Sequence, residues 1–325
     1  MIRYVIKRIL MIIPVVLLVA VAIFTIMHFC PGDPAEIILG VGASADDINN
    51  LRDQMGLNDP FFVQLGRYMY QTFIQFDLGE SFTNGLSIAG EIATRFSKTL
   101  VLALSAIMIQ VVVGIPLGMA AATHRGGWLD HLCMVLAIIG ISVPAFWIGL
   151  QLLLLFAQNL RWLPAYGVDT WQGWVLPIIV NSLRGVAQMA RQARSSMLEV
   201  IRSDYISTGR AKGLSERKLL FGYALPNALI PLIQTLGMSF GQSLGGTVII
   251  ENVFSIPGIG QYMVKAIGNR DYAVIRGTVV ILSIAFSLCM LLVDVAFGFV
   301  DPRIKAQYTG KGKRRRVRKE AKAHA

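Results

Sequence analysis

The chain has 325 residues, 54% hydrophobic and 15% charged, with a net charge of +11 and a mean hydropathy of +0.59. That balance argues against a single water-soluble domain, which shows more charge over one core. No period-two alternation at barrel-strand length occurs, which argues against a membrane β-barrel. The apolar residues come in long uncharged blocks, such as 9–29 and 99–123. A helix of about 20 residues crosses a hydrocarbon core of about 30 Å. The fold class is therefore an all-α, polytopic membrane protein.

In chain order, the first block follows a basic start of Arg3, Lys7 and Arg8. It is too long for a signal-peptide core and no small-x-small cleavage site follows it, so a retained span is expected. Six spans are predicted, at 9–30, 99–122, 131–157, 174–193, 228–250 and 278–299. Pro144 lies inside the third and predicts a kink. The fourth is polar, with Asn181, Ser182, Arg184, Gln188 and Arg191, so it faces protein or water rather than lipid. The tail 306–325 is basic and disordered by composition. Loop charge orients the spans. The amino terminus, the loop holding Arg125, the 204–226 segment and the tail are basic and fall on one side, which the positive-inside rule makes cytoplasmic. Both termini are then cytoplasmic. The opposite side carries 31–98, with nine acidic residues against four basic, and the loops 159–173 and 251–277. The region 31–98 is expected to pack on the outer ends of the spans. The core would run from 99 to 305.

Cys30, Cys133 and Cys289 are scattered through apolar runs without a pairing pattern. No G-x-x-x-x-G-K-[ST] loop occurs, so no P-loop nucleotide site is expected in this chain, and no H-E-x-x-H, paired C-x-x-C or G-x-S-x-G occurs. His28 and Cys30 alone are too few for a metal site. Asp294 lies near the cytoplasmic end of span six. Arg184 is the clear mid-depth charge. It would either pair with a neighbouring helix or line a cavity and attract an anionic substrate.

Between spans four and five stands "DYISTGRAKGLSERKLLFGYALPNAL". Asp204 suits an N-cap and Gly213 a left-handed helix end, with Arg210 and Lys212 favourably placed in the last turn. Ser215 can cap a second helix carrying Leu219, Leu220 and Tyr223, which Pro226 is expected to end. A connection with so much local structure suits docking of a soluble partner.

This segment resembles the EAA loop of ATP-binding-cassette importer permeases. Gly213 is followed by nine residues and then Tyr223, Ala224, Leu225 and Pro226. Ser207, Thr208 and Gly209 stand where the Glu-Ala-Ala letters fall, a departure usual in the peptide/nickel branch, whose version resembles "DY-x-x-T-x-RAKGL". The stretches "RSSMLEV" (194–200), "PGDP" (31–34), "MGLNDP" (55–60), "FDLGES" (76–81), "ENVFSIPGIG" (251–260) and "DPRI" (301–304) are similar to that branch's B-type permease, over residues 1 to about 305.

The resemblance implies a type I importer permease in a prokaryotic inner membrane, one of two similar subunits in a heterodimer. ATP and magnesium would bind two separate cytoplasmic ATPase subunits, so this chain is not an enzyme and holds no cofactor itself. An extracytoplasmic binding protein would deliver the solute. Asp204, Ser207, Thr208, Gly209, Arg210, Ala211, Lys212, Gly213, Leu214, Leu225 and Pro226 would couple to the ATPase. Asn181, Arg184 and Gln188 are candidates for the translocation path. Glu251, Phe254, Pro257, Gly258 and Gly260 would form the outer loop or gate. Di- or oligopeptides are the expected solute, with nickel or metal chelates, glutathione and oligosaccharides as alternatives. A secondary transporter driven by an ion gradient, or a membrane scaffold, are readings of another class.

Overall fold

The computed structural model describes residues 2–40 and 42–300. The "DPRI" motif and the basic tail lie outside them. The described residues form helices and no strand, apart from one isolated antiparallel bridge between Glu80 and Ser87. Helix α1 (Ile2–Phe29) is followed by three short helices, α2 (Pro34–Leu39), α3 (Ala45–Met55) and α4 (Phe61–Phe73). Helix α5 (Ile88–Ile109) passes through a π turn, Gln110–Gly114, into α6 (Ile115–Thr123). Then come α7 (Trp128–Ser142), α8 (Ala145–Leu152) with a π extension Leu153–Asn159, and α9 (Trp171–Ile201). The chain closes with α10 (Asp204–Ala211), α11 (Glu216–Lys218), a π turn Leu219–Ala224, α12 (Leu225–Val253), α13 (Ile259–Gly268) and α14 (Tyr272–Val300).

Four helical stretches are long and apolar enough to span a membrane, Val5–Phe29, Ile88–Thr123, Glu216–Gly241 and Tyr272–Val295. The α7–α8 pair passes the same measure together but bends by 99°. The expected kink in span three is thus a full break. Val143 and Pro144 are both extended, and Pro144 opens α8 rather than sitting inside one helix. Helix α9 is the sixth element, too polar to count on apolarity. Its 31 residues run through the middle of the bundle, packed on α5, α6, α7, α8 and α12.

Contacts define two ends. At the end holding the amino terminus, Arg8 pairs with Asp294 at 2.9 Å, and Ala122, Met197, Ile206, Ala224 and Ala228 form one buried cluster. At the opposite, distal end, Ile88, Ile92, Ile259, Tyr262, Tyr272 and Val274 are buried together with Leu78 and Phe82 packed on them. Tyr68, Met69 and Phe73 of α4 lie against Val16, Ala20 and Val280. The 31–98 region therefore packs on the spans.

Several prolines lie in helices that continue past them: Pro14, Pro177 and Pro231 inside α1, α9 and α12, and two more beside π turns. Pro116 and Pro226 each fall in the first turn after a π turn. A proline removes a donor and collides with the carbonyl four residues back. Here those carbonyls belong to Val112 and Gly222, inside the widened π turns, where the clash is relieved. The helix opened at Ser215 consequently continues through Pro226 into α12. The expected stop does not occur, and Leu225 stays helical.

Close backbone approach fixes α6 on α9. A Cβ at Gly118 would meet the carbonyl of Ala190, Ala193 Cβ at 2.5 Å and the Arg194 nitrogen at 2.9 Å. One turn earlier, a Cβ at Gly114 would meet Met189 Cβ at 2.8 Å. These two glycines have the G-x-x-x-G spacing that lets membrane helices touch. Gly118→Val is expected to reduce the yield of monodisperse protein severely, since backbone on α9 cannot yield; overpacking of this kind costs about 1–3 kcal/mol or more. Size-exclusion chromatography in detergent checks it, and Gly66→Ala, at a helical glycine of α4 where a Cβ meets nothing within 4 Å, is the comparison.

Candidate functional site

Three groups of residues emerge, one at each end and one along α9. At the amino-terminal end, α10 begins at Asp204, but the N-cap position is Ser203, with Asp204 the first helical residue. Asp204 thus acts as an acid in the first turn, favourable to the helix dipole, rather than as the cap. Thr208 Oγ1 donates to the Asp204 carbonyl at 2.8 Å. The helix ends as its glycine requires. Gly213 has φ +77°, its N–H donates to the Arg210 carbonyl at 3.0 Å, and the Leu214 N–H donates to the Gly209 carbonyl at 3.2 Å. Those are the two bonds of a Schellman end. Arg210 bridges the turn to Glu216, with one of its two contacts at 3.1 Å, and that hydrogen bond holds the guanidinium above its ordinary pKa.

Ile206 and Gly209 are buried beneath α10, with Leu219 and Ala224 behind them. Ser207, Thr208, Arg210, Ala211, Lys212 and Gly213 are exposed. The segment therefore seats one face on the bundle and turns a polar face outward. Leu225 and Pro226 belong to the start of α12 instead, separated from this surface by α11 and the π turn Leu219–Ala224. Under it, Arg194 donates to Asp130 at 2.5 and 2.7 Å, and Asp130 also accepts from the Gly126 N–H at 3.0 Å. The "RSSMLEV" stretch thus supplies the joint between α9 and the α6–α7 turn.

At the distal end the 251–260 stretch wraps around one carboxylate. Glu251 is 0% exposed. Its Oε1 accepts from Thr99 Oγ1 at 2.7 Å and its Oε2 from the Gln261 N–H at 2.9 Å. Thr99 Oγ1 in turn accepts from the Ile259 N–H at 2.9 Å. A Cβ at Gly258 would land on this carboxylate, and one at Gly260 would come within 2.6 Å of Val248 Cα. Phe254 is buried with Leu102, Leu176, Val180 and Ile256. Glu251, Phe254, Gly258 and Gly260 are thus brought together, while Pro257 lies half-buried at the edge. Sequence reasoning missed Thr99; a hydroxyl at the end of an apolar run was its only signal.

Along α9, Arg184 and Arg191 are exposed and Gln188 is half-buried. Spacings of four and three place them, with exposed Ser195, on one helical face. Among the described residues neither arginine has a carboxylate within 4 Å or a hydrogen-bond partner. The pairing that a mid-span arginine can require is absent among the described residues. Asn181 is different, since its Nδ2 donates to the Leu102 carbonyl at 3.3 Å and so ties α9 to α5. Three of the other quoted motifs also carry contacts. Tyr272 donates to the Pro31 carbonyl at 3.0 Å, Gly56 closes α3 at φ +66°, and Ser81 donates to Asp271 at 2.6 Å.

A multi-pass helical bundle with a polar central helix, a seated surface segment at one end and a pinned loop at the other defines a polytopic helical membrane protein. The chain belongs to the family described as binding-protein-dependent transport system inner membrane component: that family's model matches residues 114–306, and the model for its N-terminal part matches residues 1–103. It is 41% identical over 305 residues to the glutathione transport system permease protein GsiC of Salmonella paratyphi A, covering 94% of this chain and 99% of that protein. The Escherichia coli K12 protein of the same name is 40% identical over the same length and shares. The fold is shared with a chain of the MetNI methionine ABC transporter, at a TM-score of 0.56 and 19% identity over 65% of this chain and 96% of that one. A second crystal form of that transporter gives 0.55 at 20% identity, with the same coverage. The protein is thus an ABC importer permease of the inner membrane, a transporter subunit rather than an enzyme. Membership implies a partner permease, ATPase and solute-binding component in general.

Proposed function

We propose that this chain is one half of a heterodimeric permease, driven by two cytoplasmic ATPase subunits, that imports short peptides bearing net negative charge. Glutathione, with two carboxylates and one ammonium, is the leading candidate. The observation that carries the reading is the stripe of Arg184 and Arg191 without a counter-ion among the described residues. An unpaired guanidinium on a membrane-spanning helix is costly unless it faces water or a ligand. A stripe of two, on the polar face of the central helix, suits a path for carboxylates. The 41% identical relatives named for glutathione transport point the same way. In this reading both termini and α10 face the cytoplasm, α10 is the coupling element, and ATP with magnesium binds the ATPases. The extracytoplasmic binding protein delivers solute at the 251–277 side.

Uptake assays with the cognate binding protein and ATPases test it. Glutathione uptake should require ATP hydrolysis and exceed that of a neutral dipeptide or a nickel chelate. Arg184→Met should lower uptake about tenfold, the scale of one charge-assisted hydrogen bond, with complex yield and basal ATPase activity unchanged. A fall in yield instead would mean that Arg184 pairs with a carboxylate of another subunit. Normal yield with normal uptake would remove the residue from the path.

A further inference from the structure

A cavity of about 580 Å³ lies at the distal end, between α1, the α3–α4 region, the 77–82 loop and the start of α14. No residue of α9, α10 or α12 lines it, so it is separate from the stripe and from the coupling segment. Its charged lining is Asp33, Arg52, Arg67, Asp77, Glu80 and Arg276. Arg52 is committed to Asp33 and Arg67 to Asp59. Arg276 is not. Its guanidinium lies 5.6 Å from the ring centre of Phe24 and 5.2 Å from that of Tyr68. Nε donates to the Tyr272 carbonyl at 3.3 Å. Among the described residues the terminal nitrogens have no hydrogen-bond partner and no carboxylate lies within 4 Å.

Asp271, five residues before it, is engaged elsewhere. Oδ2 accepts from Ser81 Oγ at 2.6 Å and from Thr83 N and Oγ1 at 3.3 and 3.1 Å, and Oδ1 accepts from the Val274 N–H at 3.3 Å. A guanidinium flanked by aromatic rings with its fork free is the geometry that takes an oxyanion in two parallel hydrogen bonds. The exposed lining carboxylates Asp77 and Glu80 disfavour a purely anionic ligand and suit one that also carries an ammonium. Asp77 accepts only from the Gly79 N–H at 2.8 Å, and neither acid has a cation within 4 Å among the described residues.

We propose that this cavity binds a small zwitterion, its oxyanion on Arg276 and its ammonium facing Asp77 and Glu80. Two sources share that chemistry, the headgroup of phosphatidylethanolamine and a free amino acid or short peptide. The test uses the full-length chain purified in detergent with its accompanying subunits and without binding protein. In one arm, native mass spectrometry counts retained phosphatidylethanolamine against phosphatidylglycerol, which has the phosphate but no ammonium. In the other, dialanine is titrated by calorimetry. One probe should bind the wild type, and binding should weaken on the order of tenfold in Arg276→Gln and in the double variant Asp77→Asn with Glu80→Gln. Retained phosphatidylethanolamine with silent dialanine assigns the lipid headgroup; the reverse assigns a soluble zwitterion. No binding of either probe, or binding unchanged in both variants, overturns the proposal. Should Arg276→Gln fail to assemble, the double variant decides alone, because its two positions are exposed.

Discussion

Gly213→Asp is expected to give a chain that inserts in the membrane but no longer retains its ATPase partners or couples them to uptake. A side chain there is strained, since φ is +77°. The strain costs about 1–2 kcal/mol, too little to unfold a bundle held by α9 and α12. Within this chain an added Cβ meets nothing within 4 Å. Any larger effect must therefore come from what docks on the exposed face of α10. Losing such an anchor weakens an interface by about tenfold or more. Gly213→Ala separates the two causes, because it adds the strain with little bulk. Co-purification of the ATPases, measured beside uptake, reads the result, with Asn269→Ala in the distal turn as the silent comparison. Full retention of both ATPases and full uptake by Gly213→Asp would mean that 204–214 is not the coupling surface.

The second large effect is expected at Glu251. Its carboxylate is buried and holds Thr99 and the Gln261 N–H. Glu251→Ala leaves both donors without an acceptor in a site closed to water. At about 1–3 kcal/mol for each unmet buried group, the loss approaches about 5 kcal/mol. The 254–260 loop should detach from α5, lowering both the melting temperature of the purified complex and solute uptake. Glu251→Gln keeps one accepting oxygen and should fall between the two. Gly258→Ala should resemble Glu251→Ala in uptake, because its Cβ would occupy the carboxylate's place. A melting temperature for Glu251→Ala equal to wild type would show that the loop is held by Phe254 packing rather than by the buried carboxylate.

Much of this molecule was legible in its sequence. Uncharged runs such as 9–29 imply spanning helices on length and transfer energy alone, because a backbone in lipid must satisfy its own hydrogen bonds. The polarity of 181–191 marked α9 as a helix that avoids lipid. Gly213 was readable because a left-handed helix end is a local requirement that one residue type meets without penalty. Tertiary structure decided what local rules cannot see. The chain stays helical from the π turn at 219–224 through Pro226, a course that the proline by itself does not specify. The break at Val143–Pro144 turns a kink into a 99° bend, because neighbouring helices set how far a permitted hinge opens. Thr99 and Glu251, 152 residues apart in the chain, become partners only when α5 and α12 pack. Arg276 stands over two aromatic rings without a carboxylate for the same reason: burial and pairing are properties of neighbours, and neighbours distant in sequence are specified only by the fold.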